Sequence, residues 1–182
     1  HCISSAASDV YKRQLQIMFP MVGSLEDIRK AKEYLNLAKE QLKERKQQFD
    51  EQIRIGIMIE IPAIALIADL AAEEVDFASI GSNDLTQYLS AADRMNPEVA
   101  AYYKSDSTAM LRLLGFVFRE FSKREKEISV CGEMAGNPET AQLLVGLGAR
   151  KLSMSSGNIA GVKAKLAECT LQELTALAEK KL

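Results

Sequence analysis

The 182-residue sequence predicts an α/β protein built around a parallel β-sheet. Three observations lead to this fold class. Short apolar runs have the length and composition of strands, a polar turn follows each run, and a helical pattern follows each turn. The runs are apolar on both faces, which is typical of parallel strands covered by helices. Repeated strand–helix units connect through right-handed crossovers, and both a (β/α)₈ barrel and a doubly wound sheet fit this pattern.

The predicted strands share a β-rich apolar composition. They cover residues 15–22, 53–61, 77–81, 128–131 and 152–154. Gly23 closes the first run. Pro62 ends the second run at a place where it can begin a helix, because the N–H that proline lacks would have no partner in the first helical turn. A polar turn and cap at residues 82–84 follows the third run. Each strand therefore ends where a helix can begin.

The predicted helices are recognised by their start and stop signals. They cover most of residues 27–48, then residues 63–74, 85–93 and 107–126, and a stretch that ends at residues 146–148. Ser24, with acids in the turn after it, suits the N-cap of the first helix, and Pro97 opens a further short helical stretch. Asn137 caps the helix that ends in two glycines. Ser155 or Ser156 caps the next one.

Composition excludes several classes of protein. The chain is 47% hydrophobic and 26% charged with a formal net charge of −2, which is typical of a soluble globular domain without the basic excess of a nucleic-acid-binding surface. Three widely spaced cysteines without a CxxC pair predict neither a disulfide framework nor a structural zinc site, and indicate a reducing, cytoplasmic compartment. The only histidine is His1, so hydrolase mechanisms that need a histidine base have no candidate.

No membrane segment or signal peptide is predicted. The most apolar stretch, residues 55–72, contains Glu60, Pro62 and Asp69, which argues against a membrane span. The amino terminus lacks a basic region followed by an apolar block. Residues 1–14 are small and polar without periodicity, and we treat them as a lead-in segment before a domain that covers residues 15–182.

Glu60 is the first candidate for a functional residue, because ligands of α/β proteins lie at the carboxyl ends of the strands. It follows an apolar run, and a charged carboxylate in such surroundings needs a cation. The cation is either a buried arginine or lysine, or a hard divalent metal such as Mg²⁺ or Mn²⁺. Asp84, at the end of the next strand, is the second candidate ligand, although a helix N-cap also explains it.

Three further residues lie near the same predicted edge. Asn83 offers an amide donor at a helix start, where backbone N–H groups favour an anion. Arg94 is able to grip a phosphate or carboxylate with two N–H groups, or to serve as a surface ion-pair residue. Cys131 ends a strand before Gly132, where a thiol is either a small buried hydrophobic residue or a nucleophile or proton donor.

The same segments carry a resemblance to a known family. The motifs are EIP at residues 60–62, GSNDLTQY at 81–88, AADRMN at 91–96 and CGEMAG at 131–136. Together they resemble the phosphoenolpyruvate-binding C-terminal domain of enzyme I, the phosphoenolpyruvate-protein phosphotransferase of the sugar phosphotransferase system. The resemblance covers about residues 15–166. Pyruvate phosphate dikinase and phosphoenolpyruvate synthase are similar in fold, but the last two motifs favour enzyme I.

The resemblance implies a fold and a role for each candidate. The fold is a TIM-type (β/α)₈ barrel, of which this chain carries the last five β/α units. Glu60 and Asp84 are implied to bind Mg²⁺, Asn83 and Asp84 to contact phosphoenolpyruvate, and Arg94 to bind its phosphate. Cys131 is implied to be the catalytic acid that protonates the methylene carbon when the enolate becomes pyruvate.

The resemblance also implies what lies outside the chain. In the family, the phosphorylated histidine, which passes phosphate to a phosphocarrier protein, belongs to a separate N-terminal domain. The first barrel strands, with two more phosphate-binding arginines, precede the matching segment. We therefore expect the fragment alone to be inactive, and expect the whole enzyme to be a cytoplasmic homodimer. The alternatives are a dikinase or synthase relative, or a non-catalytic dimerisation module.

Overall fold

The computed structural model of this protein describes residues 15–182, so the predicted lead-in segment lies outside the described residues. Four parallel strands form one sheet in the order β1 (Gln16–Phe19), β2 (Arg54–Ile59), β3 (Phe77–Gly81) and β4 (Glu127–Cys131). Each strand pairs with the one before it in the chain. This confirms the predicted α/β class and parallel sheet. A doubly wound sheet reverses its strand order at a switch point, whereas the strands described here add in one direction only.

Nine α-helices are described in residues 15–182. They are α1 (Leu25–Glu44), α2 (Pro62–Leu66), α3 (Ala68–Glu74), α4 (Ser82–Ser90), α5 (Thr108–Lys123), α6 (Glu133–Gly136), α7 (Pro138–Leu147), α8 (Ser156–Ala167) and α9 (Leu171–Glu179). A 3₁₀ turn, Pro97–Val99, lies between α4 and α5. None of the helices in the described part of the chain is long and apolar enough to cross a lipid bilayer.

Several cap predictions are confirmed. The side chain of Ser24 accepts a hydrogen bond from the N–H of Asp27, whose carboxylate accepts in return from Ser24, so that two otherwise unpaired N–H groups are satisfied. Asn137 caps α7, and Gly148 ends it in the left-handed conformation. Helix α1 covers most of residues 27–48, as predicted, and ends at Glu44, shortly before Lys46 turns into the left-handed region with a φ of 54°.

The predicted turn at residues 82–84 was wrong. These residues are the first turn of α4, which begins directly after β3 without a side-chain cap. The Ser82 hydroxyl is not available for capping because it donates to the carbonyl of Cys131 at 2.7 Å. Asp84 is therefore inside the helix, and the N-cap explanation for this residue does not hold.

The predicted fifth strand is reduced to a single parallel bridge between Val130 and Leu152. The N–H of Val130 donates to the carbonyl of Lys151 at 3.0 Å, and the N–H of Ser153 donates to the carbonyl of Val130 at 2.8 Å. No further strand lies beyond Leu152 in the part of the chain that the structure describes, so this segment is paired along one edge only. The described fold contains four strands plus this bridge rather than five strands.

The two faces of the sheet differ, although both carry apolar side chains, as predicted. Side chains alternate along each strand, so Ile57, Ile59, Ile80 and Val130 share one face, where they belong to the same fully buried core as the helices. The other face is mixed: it carries Gly56, Ser79 and Ser129, but also the large apolar side chains of Met58 and Phe77. Cys131 follows Ser129 on this second face.

Candidate functional site

Glu60 directly follows β2 and is only 4% exposed. Its Oε1 atom accepts a hydrogen bond of 2.7 Å from the backbone N–H of Met21, in the connection between β1 and α1. Burial raises the pKa of Glu60, the Met21 hydrogen bond lowers it, and the neighbouring Asp84 carboxylate raises it again. No lysine or arginine among residues 15–182 forms a salt bridge with Glu60, so the buried ion pair considered from the sequence has no partner there.

Asp84 lies in the first turn of α4, one strand away from Glu60. The two carboxyl groups are close enough for both charge and hydrogen bonding from Asp84 to raise the pKa of Glu60. Gly81 permits this approach, because a Cβ atom at that position would lie 2.9 Å from the Oε2 atom of Glu60. Two carboxylates held together in partly buried surroundings repel each other, and a cation between them removes that repulsion.

The donor set fits a magnesium-type ion. Mg²⁺ prefers oxygen ligands, and it commonly binds one or two carboxylates and completes its coordination with water and substrate phosphate. Among the described residues, no group of three or more histidine, cysteine, aspartate or glutamate side chains is arranged to hold a metal ion. Glu60 and Asp84 therefore offer two carboxylates, and any further ligand has to come from elsewhere.

Asn83 connects two neighbouring strand ends. Its side-chain oxygen accepts the backbone N–H of Glu133 at 3.0 Å, and its backbone carbonyl accepts the Tyr103 hydroxyl at 3.1 Å. Arg94 lies on the loop after α4, where its Nη1 atom is 3.7 Å from Oδ1 of Asp84. Both side chains of this pair are about two-fifths exposed, at 43% and 38%, so the pair contributes at most about 1 kcal/mol to stability.

Cys131 is the last residue of β4, and its thiol donates to the Ile80 carbonyl at 3.3 Å. Together with Asn83 it lines a depression of about 360 Å³ that extends to Ser155 and Asn158. Burial raises the pKa of the thiol, contact with Ser79 lowers it, and the Glu60 and Asp84 carboxylates raise it. The net shift of the thiol pKa is upward, so the proton stays on the sulfur of Cys131 at neutral pH.

Gly132 holds the turn after β4 in a conformation that only glycine adopts easily. Its φ is +97°, and a Cβ atom there would lie 2.5 Å from Oγ of Ser82 and 2.8 Å from Oδ1 of Asn83. The close packing of this turn against α4 therefore depends on the absence of a side chain.

We expect Gly132→Ala to destabilise the protein by about 2–4 kcal/mol, because backbone strain and a steric clash add together. The measurement is denaturant unfolding of the full-length protein. Gly157→Ala is the matched control: its Cβ meets nothing within 4 Å in α8, and alanine there should stabilise by about 0.5–1 kcal/mol. Equal stability of the two variants would contradict the proposed packing.

The structure brings the predicted site residues together at the carboxyl edge of the sheet. Glu60, Asp84 and Cys131 interact electrostatically, Arg94 contacts Asp84, and Asn83 lines the same depression as Cys131. Sequence reasoning missed Tyr103 and the Met21 N–H. Neither has a sequence signal, because Tyr103 lies within an exposed loop and the Met21 contact is made by the backbone.

The fold and the site define a class of protein: an α/β protein with two neighbouring carboxylates and a thiol at the carboxyl ends of parallel strands, and with an arginine on an adjoining loop. The family model for the PEP-binding domain of PEP-utilising enzymes matches residues 2–171, and the chain belongs to this family.

Named relatives support the same assignment. The chain is 45% identical over 159 residues to multiphosphoryl transfer protein 2 of Escherichia coli (strain K12), covering 87% of this chain and 19% of that protein. It is 42% identical to the phosphoenolpyruvate-protein phosphotransferases of Priestia megaterium and Bacillus subtilis (strain 168), over 88% and 91% of this chain. The chain spans only 28% and 29% of those two proteins. The resemblance to the phosphoenolpyruvate-binding domain of enzyme I is confirmed.

Proposed function

We propose that this chain supplies the metal and phosphoenolpyruvate end of an enzyme I-type phosphotransferase, which moves phosphate from phosphoenolpyruvate to a protein histidine and releases pyruvate. The observation that carries the proposal is that the carboxylates of Glu60 and Asp84 and the protonated thiol of Cys131 lie at one edge of the sheet. No lysine or arginine in residues 15–182 forms a salt bridge with Glu60. The carboxylate pair suits a divalent cation, and the thiol suits proton donation to carbon.

Glu60 and Asp84 would bind Mg²⁺, whose positive charge offsets the negative charge that develops on the substrate oxygens. Met21 keeps one oxygen of Glu60 occupied by its N–H, which leaves Oε2, the oxygen next to Gly81, for the ion. Asp84 also contacts Arg94, so the carboxylate and the guanidinium are oriented relative to each other before substrate binds. Phosphoryl transfer depends mainly on such positioning and charge neutralisation.

Arg94 would bind the phosphate group of phosphoenolpyruvate, and Asn83 and Asp84 would contact the substrate beside it. The exposure of Arg94 is compatible with this role, because a substrate has to reach the guanidinium from solvent. Cys131 would then protonate the methylene carbon of the enolate: the S–H bond breaks, a C–H bond forms, and the thiolate regains its proton from water. Its raised pKa keeps the proton on sulfur until that step.

The proposal includes a complete (β/α)₈ barrel in the full-length protein. Support comes from the one-directional strand order and from the second sheet face, whose small, polar and apolar side chains lie outside the core shared with the helices. In a closed barrel this face becomes the interior, with Glu60 and Cys131 at its carboxyl rim. The acceptor histidine and the contact with a phosphocarrier protein would lie in other parts of the protein. The resemblance further suggests a cytoplasmic homodimer.

The full-length protein, given phosphoenolpyruvate labelled at phosphorus, Mg²⁺ and a purified phosphocarrier protein, should release pyruvate and label the carrier in equal amounts. Chelation of Mg²⁺ should stop both. Transfer of the label to a nucleotide instead of the carrier would assign the chain to a dikinase or synthase relative. Calorimetry on the same protein is a direct binding test, and the absence of heat with phosphoenolpyruvate and Mg²⁺ would leave only a dimerisation role.

A further inference from the structure

The loop at residues 91–107, which joins α4 to α5, carries Arg94 but is itself mostly exposed. Met95 is 81% exposed and Tyr102 is 70% exposed, so this loop has little apolar packing to hold it against the sheet edge. The backbone N–H of Arg94 donates to the side-chain oxygen of Gln87 at 3.2 Å. The Arg94 guanidinium has Asp84 as a salt-bridge partner, but at 3.7 Å and with both side chains about two-fifths exposed this pair alone orients the arginine weakly.

Tyr103 is the residue of this loop that reaches the site. Unlike its neighbour Tyr102, it is half-buried, and its hydroxyl donates to the backbone carbonyl of Asn83 at 3.1 Å. Burial raises the pKa of Tyr103, the Glu133 carboxylate raises it further, and the Arg94 guanidinium lowers it through charge and a hydrogen-bonding contact. The hydroxyl thus lies between the substrate-facing part of α4 and the arginine of its own loop.

This arrangement connects Tyr103 to both sides of the site. Asn83, which accepts the tyrosine hydroxyl, also accepts the N–H of Glu133 in the turn after β4. The Arg94 guanidinium is near enough to lower the pKa of the same hydroxyl, and it also forms the salt bridge with Asp84. The hydroxyl therefore joins the exposed loop to the start of α4, and the Asn83 side chain extends this connection to the turn after β4.

We propose that Tyr103 is a positioning residue whose hydroxyl ties the 91–107 loop to Asn83 and thereby holds Arg94 in place for the phosphate of the substrate. The inference rests on the proposed function, because it assumes the role of Arg94 in binding phosphate. Tyr103 acts through Arg94 and does not take part in the chemical step. Its loss should weaken substrate binding and leave the metal ligands unaffected.

The test is Tyr103→Phe in the full-length protein, because this change removes the hydroxyl and keeps the ring. The KM for phosphoenolpyruvate should rise about three- to tenfold, the effect expected from losing one hydrogen bond, while kcat changes less than about twofold. Mn²⁺ affinity in the absence of substrate should equal that of the wild type, which also shows that the strand ends remain folded. Tyr102→Phe is the matched control and should leave the KM unchanged.

A double-mutant cycle distinguishes positioning from a merely structural role. Arg94→Ala should raise the KM more than Tyr103→Phe does, and adding Tyr103→Phe to Arg94→Ala should raise it no further. Additive effects, or a wild-type KM in Tyr103→Phe, would overturn the positioning role of Tyr103 and leave the proposed function standing. Absence of phosphotransfer in the wild-type protein would overturn the proposed function and the role of Tyr103 within it.

Discussion

Glu60→Gln should abolish the dependence of the full-length protein on Mg²⁺. Outer-shell residues of metal sites already change metal affinity by about 10- to 100-fold, so losing a direct ligand should weaken binding by at least about 100-fold. The substitution keeps the size of the side chain and an oxygen for the Met21 N–H, so the local fold should persist. Mn²⁺ binding, followed by the paramagnetic signal of the free ion, gives a readout that is independent of activity.

The change in stability caused by Glu60→Gln also has an expected direction. A carboxyl group whose pKa is raised by folding favours the folded state at low pH, and this contribution is lost as pH rises through the folded pKa. In the metal-free protein, ionised Glu60 therefore opposes folding at neutral pH, and Glu60→Gln should be at least as stable as the wild type there. The advantage should disappear at pH values below the ordinary range of a glutamate.

Glu98→Gln is the matched control for Glu60→Gln, because Glu98 is an exposed carboxylate on the 91–107 loop. The Glu98→Gln variant should bind Mn²⁺ with the same affinity as the wild type. Retained Mg²⁺ activation in Glu60→Gln would remove Glu60 from the metal site. In that case the elevated pKa of this residue would reflect burial and the nearby Asp84 only.

Cys131→Ala should block pyruvate release far more than substrate binding. Proton donation by a positioned side chain contributes about 10²- to 10⁴-fold to a rate, so turnover should fall within that range while the affinity for phosphoenolpyruvate changes little. Rapid-quench measurement of pyruvate formation, set beside a calorimetric titration with phosphoenolpyruvate, separates the two effects. Equal losses of binding and turnover would show that the thiol is structural.

The pH dependence of the wild-type protein provides a second test of Cys131. Because the pKa of this thiol lies above its ordinary value, the proton-donating form persists through neutral pH. The rate of the proton-donating step should stay constant across that range and fall only in alkaline solution, above the usual cysteine pKa. Cys169→Ala is the control, since Cys169 contacts Gln142 near α8 and does not line the depression.

Much of the fold could be predicted because its signals are local. The strand at Phe77–Gly81, the Ser24 capping box and the end of α7 at Gly148 follow from residue type and spacing alone. The turn predicted at residues 82–84 failed for a non-local reason. The Ser82 hydroxyl, which would have capped a helix, is bound to a carbonyl 49 residues away in β4. Single-sequence patterns contain no information about such a partner.

The candidate site likewise has features that the sequence predicts and features that it does not. The sequence by itself determined the residue types and the edge of the sheet at which they gather, because a carboxylate after an apolar run and a cysteine at a strand end can be located from periodicity. Only the tertiary structure decided how they interact. The Met21 N–H on Glu60, the side-chain-free turn at Gly132 and the Tyr103 hydroxyl on Asn83 join segments distant in sequence. Such contacts depend on backbone paths that meet only after the sheet has formed, and no local pattern in the chain encodes them.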